Sequence, residues 1–424
     1  MITRYVAVCV FMAPAWAQQP MSLTLAQAEN LATQNNPKFA AARLNAAAAY
    51  QAPIEARAGL LPNVNGLITG VGADSGSRLA AGGLNNPVVY NRFASGLMVN
   101  QLVTDFGRTS SLIASDKLRA QAQDQVTETT RADILVATTR AYFAVLRANA
   151  VLQVAQQTVS ARQLVSDQIT ALFHSQLKSQ LDVSFANVNL ADAQLLLAQA
   201  QNDLKSAEAD LAAAIGLSAP TSFSLSEEAV PDALPDRVDT FVQRALQDRP
   251  ELKDLKLEQG AAERFAKAEH ALKYPTVAVA GTAGFVPVGE DAVPGRYGAI
   301  GLNVSIPVFN GGLFRARQTE AEIRARAATQ QVNDVANRIT RDVRVAYLNA
   351  RTAFERVGLT AQLLEQSSLA LDLARGRYDL GLSSIVELSQ AQLNLTSAQI
   401  ANTSAKYDYQ AQRTVVDYEI GALR

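Results

Sequence analysis

Two short turns hold the side chains whose types and spacing suggest specific chemistry. Ser384-Ile385-Val386-Glu387 spells a capping box, and Ser179-Gln180-Leu181-Asp182 echoes it. In such a box the serine hydroxyl accepts from the amide three residues on, and the acidic side chain reaches back to the serine amide. Gly381, just ahead of Ser384, suits the left-handed residue that closes a preceding helix. Catalytic chemistry has little to draw on. The one cysteine, Cys9, lies in an apolar N-terminal stretch, and His174 and His270 stand 96 positions apart. No disulfide, thiol nucleophile, metal site or cofactor is expected from such a set. His174 reads as a solvated polar residue close to a helix turn. Asp105-Phe106-Gly107 lacks the glycine-rich loop and catalytic-loop sequence of a kinase, and reads as a turn. Gly70-Val71-Gly72 with Ser75-Gly76 lacks the spacing and βαβ setting of a dinucleotide loop, and reads as an exposed loop between strands. With 38 basic and 39 acidic residues the net charge is −1, which gives nucleic acid nothing to hold. The chain reads as a non-enzyme.

The N-terminus carries an address. Arg4 precedes an apolar run from Tyr5 to Ala15, and Ala15-Trp16-Ala17 forms a small-residue cleavage site. Residues 1–17 are therefore expected to be a signal peptide, making the mature chain an exported one. Beyond residue 17 no uncharged apolar run is long enough for a spanning helix. Any passage through a membrane would have to use strands.

The elements that would position the two turns come in two copies. Asn36-Pro37 recurs as Arg249-Pro250 and Leu61-Pro62 as Tyr274-Pro275, at an offset of 213. Further on the offset becomes 205: Gly107 pairs with Gly312, Ala141-Tyr142 with Ala346-Tyr347, and Ile215-Gly216 with Ile420-Gly421. Neither glycine nor proline occurs between Arg108 and Ile215, and no proline follows Pro307. Such stretches favour unbroken helix. Val332, Ile339, Ala346 and Ala353 recur every seven residues, the signature of helices packed along a coiled-coil seam. The first repeat is expected over 18–217, with a hairpin region about 61–104 and long helices about 108–176 and 181–215. A linker over 218–236 leads to the second repeat, 237–424, with a hairpin region about 274–309 and helices about 313–379 and 385–420.

Between these helices the period changes to two. Val277, Val279, Ala283 and Phe285 alternate with other residues, as do Ile300, Leu302, Val304, Ile306 and Val308. Thr276–Pro287 and Gly298–Val308 have the length of tilted membrane strands, and Asn63–Val71 and Phe93–Val103 are their weaker counterparts. Four strands cannot close a barrel, so a chain that enters lipid this way must pool strands with further copies of itself. The alternative is an exported coiled-coil structural or surface protein whose strands pair outside lipid.

In order along both repeats, the chain carries Leu23-Thr24-Leu25-Ala26-Gln27-Ala28, Gly59-Leu60-Leu61-Pro62, Val103-Thr104-Asp105-Phe106-Gly107-Arg108, Ile306-Pro307-Val308-Phe309-Asn310-Gly311-Gly312 and Arg377-Tyr378-Asp379-Leu380-Gly381-Leu382. On these motifs it resembles the TolC family of outer-membrane efflux proteins over essentially its whole mature length. The resemblance implies a mainly α fold with a membrane β part. It implies a homotrimer with a 12-stranded barrel in outer-membrane lipid and an α-helical tunnel through the periplasm. A periplasmic adaptor protein and an inner-membrane pump are the implied partners, and passive conduction of exported substrates is the implied function. It also implies that Glu387 lines a periplasmic constriction, with Gln390 where a second carboxylate would complete the pattern. Tyr378 matches a position that helps hold the tip closed, and Asp182 is the first-repeat counterpart of Glu387. Ser383 stands where a basic partner can occur, and Gln176 replaces the glycine expected in the first turn.

Overall fold

The computed structural model describes residues 20–78, 88–219 and 221–423. The expected signal peptide and Cys9 lie outside the described residues. In chain order the elements are β1 (Met21–Leu23), α1 (Leu25–Asn35), α2 (Pro37–Ala49), α3 (Ala52–Ala58), β2 (Asn63–Val71), β3 (Arg92–Thr104), α4 (Arg108–His174) and α5 (Gln180–Ala214). There follow β4 (Phe223–Leu225), α6 (Val238–Asp248), α7 (Pro250–His270), β5 (Thr276–Gly289), β6 (Arg296–Ser305), α8 (Leu313–Asp379) and α9 (Ile385–Glu419).

Helices α4 and α8 are 67 residues each, and α5 and α9 are 35 each. At 1.5 Å per residue the longer pair extends about 100 Å. The repeats differ where one proline falls. Pro53 lies in the first turn of α3, just past the end of α2, whereas the matching Ala266 lies inside the unbroken 21-residue α7. Proline has no amide hydrogen and clashes with the preceding turn, so it starts a new helix there.

Two compact units emerge, and both cut across the sequence repeats. The first takes the described part of Met1–Ala40 with Arg131–Ala245 and Arg341–Arg424. In it β1 and β4 pair in parallel, Met21 opposite Phe223. Ala186, Ala193, Ala200 and Ala207 are buried at seven-residue intervals along α5, as are Ala391, Ala398 and Ala405 along α9. Small seam residues let helix backbones approach closely at coiled-coil spacing. The repeated Ala-Tyr pair has a definite task. The Tyr142 hydroxyl donates to the Ser226 carbonyl at 2.7 Å and the Tyr347 hydroxyl to that of Pro235 at 3.0 Å. The Tyr409 hydroxyl adds a bond to Asp232 at 2.6 Å. Three buried phenols thus satisfy carbonyls of the segment that joins the repeats.

The second unit takes Ala41–Thr130 and Leu246–Thr340. Its four-stranded antiparallel sheet has the order β2-β3-β5-β6. The registers place Val64, Leu97, Val99, Val279, Phe285, Ile300, Leu302 and Val304 on one face. Asn63, Asn65, Asn100, Thr282, Asn303 and Ser305 lie on the other. The apolar face is open: Ile300 is 83% exposed and Leu302 67%. β2 and β6 each have a single strand neighbour among the described residues, leaving two outer edges without a ladder partner. On the polar face Tyr297 lies across Gly284 and Gly96, where an added Cβ would overlap its ring or hydroxyl. The alternation over 298–308 suggests a longer strand than forms. β6 starts earlier, at Arg296, and stops at Ser305, short of Pro307, which has no amide to offer a ladder. β2 ends at Val71, as the strand expected over Asn63–Val71 does, so of Gly70-Val71-Gly72 only Gly72 lies beyond the strand.

Candidate functional site

Both turns in the first unit end their long helices with the same hydrogen-bond pair. Leu177 N–H donates to the Leu172 carbonyl at 2.9 Å and Gln176 N–H to that of Phe173 at 2.9 Å. Leu382 N–H donates to Arg377 at 2.8 Å and Gly381 N–H to Tyr378 at 3.0 Å. This is a Schellman closure, which needs a left-handed residue just past the helix. Gly381 takes it at φ 73°, and Gln176 takes it at φ 61° despite its side chain.

The next helices start differently. At Ser179 the box is complete: Asp182 N–H donates to the Ser179 hydroxyl at 3.2 Å, and Ser179 N–H donates to the Asp182 carboxylate at 2.9 Å. Burial pushes the Asp182 carboxyl up, but the bonds from the Ser179 hydroxyl and amide, with the Lys178 charge, outweigh it and hold it below the usual range. At Ser384 only half the box forms. Glu387 N–H donates to the Ser384 hydroxyl at 3.4 Å. The expected reach of the Glu387 carboxylate back to the Ser384 amide is replaced by an ion pair with Arg377 Nε at 3.1 Å. Arg377 competes successfully because a charged guanidinium binds a carboxylate more strongly than a neutral amide does.

Tyr378 is buried among Ile169, Val183, Ala186, Ile385 and Leu388, so it joins the two turns through an apolar cluster. Lys178 Nζ sits 3.8 Å from its ring centroid, a cation–π contact from the first turn onto the end of α8. Among the described residues neither the Tyr378 hydroxyl nor the Ser383 hydroxyl, both buried, finds a hydrogen-bond partner. Gln390 stands apart from Glu387 and donates to Asn394 at 3.0 Å. The structure thus brings Tyr378 to the Lys178–Asp182 turn and leaves Glu387 and Gln390 on the exposed side of α9. Sequence reasoning missed Arg377 and Lys178 as partners. The signal for Arg377 was there: it and Glu387 are equidistant from Leu382, as cross-turn neighbours in a helical hairpin must be.

No reactive group converges on this site. Among the described residues, no His, Cys, Asp or Glu cluster could hold a metal ion, and no helix is long and apolar enough to cross a membrane.

The sequence model for outer membrane efflux proteins matches residues 29–217 and 241–417. The chain belongs to the outer membrane efflux protein family. Among relatives of this efflux protein, Outer membrane protein TolC of Salmonella enteritidis is 25% identical, covering 94% of this chain and 83% of its own length. Alkaline protease secretion protein AprF of Pseudomonas aeruginosa is 23% identical over 92% of this chain and 83% of its own. The outer-membrane channel OprN shares the efflux protein's fold with a TM-score of 0.83 at 19% identity, over 94% of this chain and 90% of that one. VceC of Vibrio cholerae does so with a TM-score of 0.80 at 19% identity, over 94% and 96%.

Proposed function

We infer that this efflux protein is the outer-membrane exit channel of an efflux or secretion system, conducting substrates passively to the cell exterior. The open sheet carries that reading. It has an apolar face, a polar face and two unpaired edges, and edges left open in lipid cost several kcal/mol per unpaired group. Barrels in bacterial outer membranes have at least eight strands. Three copies pool twelve strands and remove every edge, so the assembly we propose is a homotrimer with an apolar outer wall and a lumen lined by Asn63, Asn100 and Asn303. A periplasmic adaptor and an inner-membrane pump complete the proposed machine, and relatives named for efflux and for protease secretion support that assignment. An exported structural protein has no use for an uncovered apolar sheet face, which disfavours the alternative.

The paired turns are the proposed gate. Three-fold symmetry brings three Glu387 carboxylates around one axis, with Gln390 one helical turn behind them. Tyr378, clamped by Lys178 and the apolar cluster, holds the two hairpins of each chain together, and Gly381, Ser384 and Asp182 fix the turn shapes. Ring carboxylates favour cations. The test is crosslinking of membrane extracts followed by planar-bilayer recording. Crosslinks should saturate at three subunits, and Glu387→Gln should lower cation preference. A soluble monomer would sink the channel reading, and unchanged selectivity in Glu387→Gln would sink the gate.

A further inference from the structure

We propose that the cavity between α4, α8 and α9 in the first unit binds a small amphipathic organic anion, a monocarboxylate with an aromatic or aliphatic body. The cavity has a volume of about 280 Å³ and lies wholly within that unit. Leu164, Val165, Leu371 and Leu395 give it apolar walls. Two lining groups are polar, deeply buried and poorly satisfied. Arg162 is 5% exposed, forms no ion pair among the described residues, and donates only to the neutral Gln392 side chain. Tyr378 is 7% exposed, and its hydroxyl has no hydrogen-bond partner among the described residues.

A buried guanidinium without a carboxylate is an expensive arrangement, because hydration is lost and no counter-charge replaces it. Burial lowers the Arg162 pKa from its ordinary value, and the Asp192 charge only partly opposes this. A ligand carboxylate would supply the missing charge to Arg162 and accept from the Tyr378 hydroxyl, while its body replaces water along the leucines. At the rim Arg375 and Asp379 are both exposed and offset one another, so Arg162 sets the sign. A cationic amphiphile would meet that charge unfavourably, and inorganic phosphate would leave the apolar walls wet. Ligand pockets of roughly 300–1,000 Å³ hold drug-sized molecules, so this one suits a compact body of one or two rings. Neither Glu387 nor Gln390 lines the cavity.

The full-length protein in lipid nanodiscs, titrated calorimetrically with 2-naphthoate, tests this. Saturable binding at one site per chain is expected, with neutral 2-naphthol at least ~10-fold weaker, since hydrogen bonds to charged groups carry that difference. Arg162→Met should weaken naphthoate by about 10-fold or more, and Tyr378→Phe by roughly 3- to 10-fold. Tyr378→Phe removes an unpartnered hydroxyl and keeps the ring, so it decides the matter if Arg162→Met fails to fold. Absent saturable binding, equal binding of 2-naphthol, or undiminished affinity in a folded Tyr378→Phe would each overturn the assignment. Naphthoate binding by a protein that conducts nothing would sink the channel reading and leave this one standing.

Discussion

Removing Arg317 should destabilise the second unit more than removing the acid it serves. Glu269 is 2% exposed at its side chain, and both its oxygens are taken by Arg317, at 2.6 and 2.9 Å. The pair ties α7 to the start of α8. Arg317 is 43% exposed, so only one member of the pair is truly desolvated. Breaking a fully buried pair by deleting one partner costs about 3–5 kcal/mol. Water can enter along the path Arg317 vacates, which brings the figure for Arg317→Met to about 2–3 kcal/mol. Glu269→Gln leaves the arginine half solvated and retains one acceptor, so it should cost only about 1 kcal/mol. Replacing both, as Glu269→Leu with Arg317→Met, exchanges the pair for packing and should fall within about 1 kcal/mol of the parent. Urea unfolding of the solubilised protein, followed by circular dichroism, gives the three values. If Arg317→Met proves no worse than Glu269→Gln, or the double variant is worse than both, the desolvation argument fails.

Three further outcomes follow from the same structure. Gln176→Gly should stabilise by about 0.5–1 kcal/mol by relieving the left-handed strain, whereas Gly381→Ala, whose Cβ meets nothing within 4 Å, should cost about 1 kcal/mol through backbone strain alone. Thermal melts of both variants read this, and a loss in Gln176→Gly would contradict it. Asp254 is pushed up to about 6, by burial first and then by Glu258 and Glu251. Its neutral form favours the fold at low pH, and that contribution disappears as pH rises from its unfolded value near 4 through 6. Asp254→Asn should therefore match the parent near pH 3.5, below the unfolded value, and exceed it at pH 7.5 by about 1 kcal/mol after solvent screening, and equal gaps at both pH values would refute the sign. Val304→Arg should hinder membrane assembly, at about 2–4 kcal/mol near the bilayer midplane, while Asn303→Arg is tolerated. Equal yields of the two assembled variants would mean the sheet faces are misassigned.

Much of the scaffold was legible because its signals are local or periodic. The absence of glycine and proline from Arg108 to Ile215 marks the long helices, and the seven-residue spacing marks their seam. Period-two runs found the four strands of the larger sheet but not the short β1 and β4, and β6 ends where Pro307 approaches rather than where the apolar pattern stops. The turns were legible as turns for the same reason. Their side-chain partners were not, because Glu387 chose Arg377 over the Ser384 amide, a competition of strengths that a motif does not express. Lys178 over Tyr378 joins residues 200 positions apart, and no spacing rule reaches that far. The cavity around Arg162 was invisible for a related reason: burial without a counter-charge is a property of packing, and the residue is unremarked in its own neighbourhood of sequence.

The free outer edges of β2 and β6 have a consequence for how cells acquire the finished object. On the proposed assembly a lone chain carries two adhesive strand borders with no low-energy way to sit in lipid, so insertion would not be a solitary event. In the proposed trimer copies have to find one another first, which would make the rate of maturation depend steeply on local abundance rather than simply in proportion to synthesis. It also exposes the cell to subunit poisoning. A copy with a spoiled β6 border still offers an intact β2 border, recruits two healthy neighbours, and leaves their ring unsealed. With equal amounts of sound and spoiled chains, random closure of threefold rings would leave roughly one ring in eight intact.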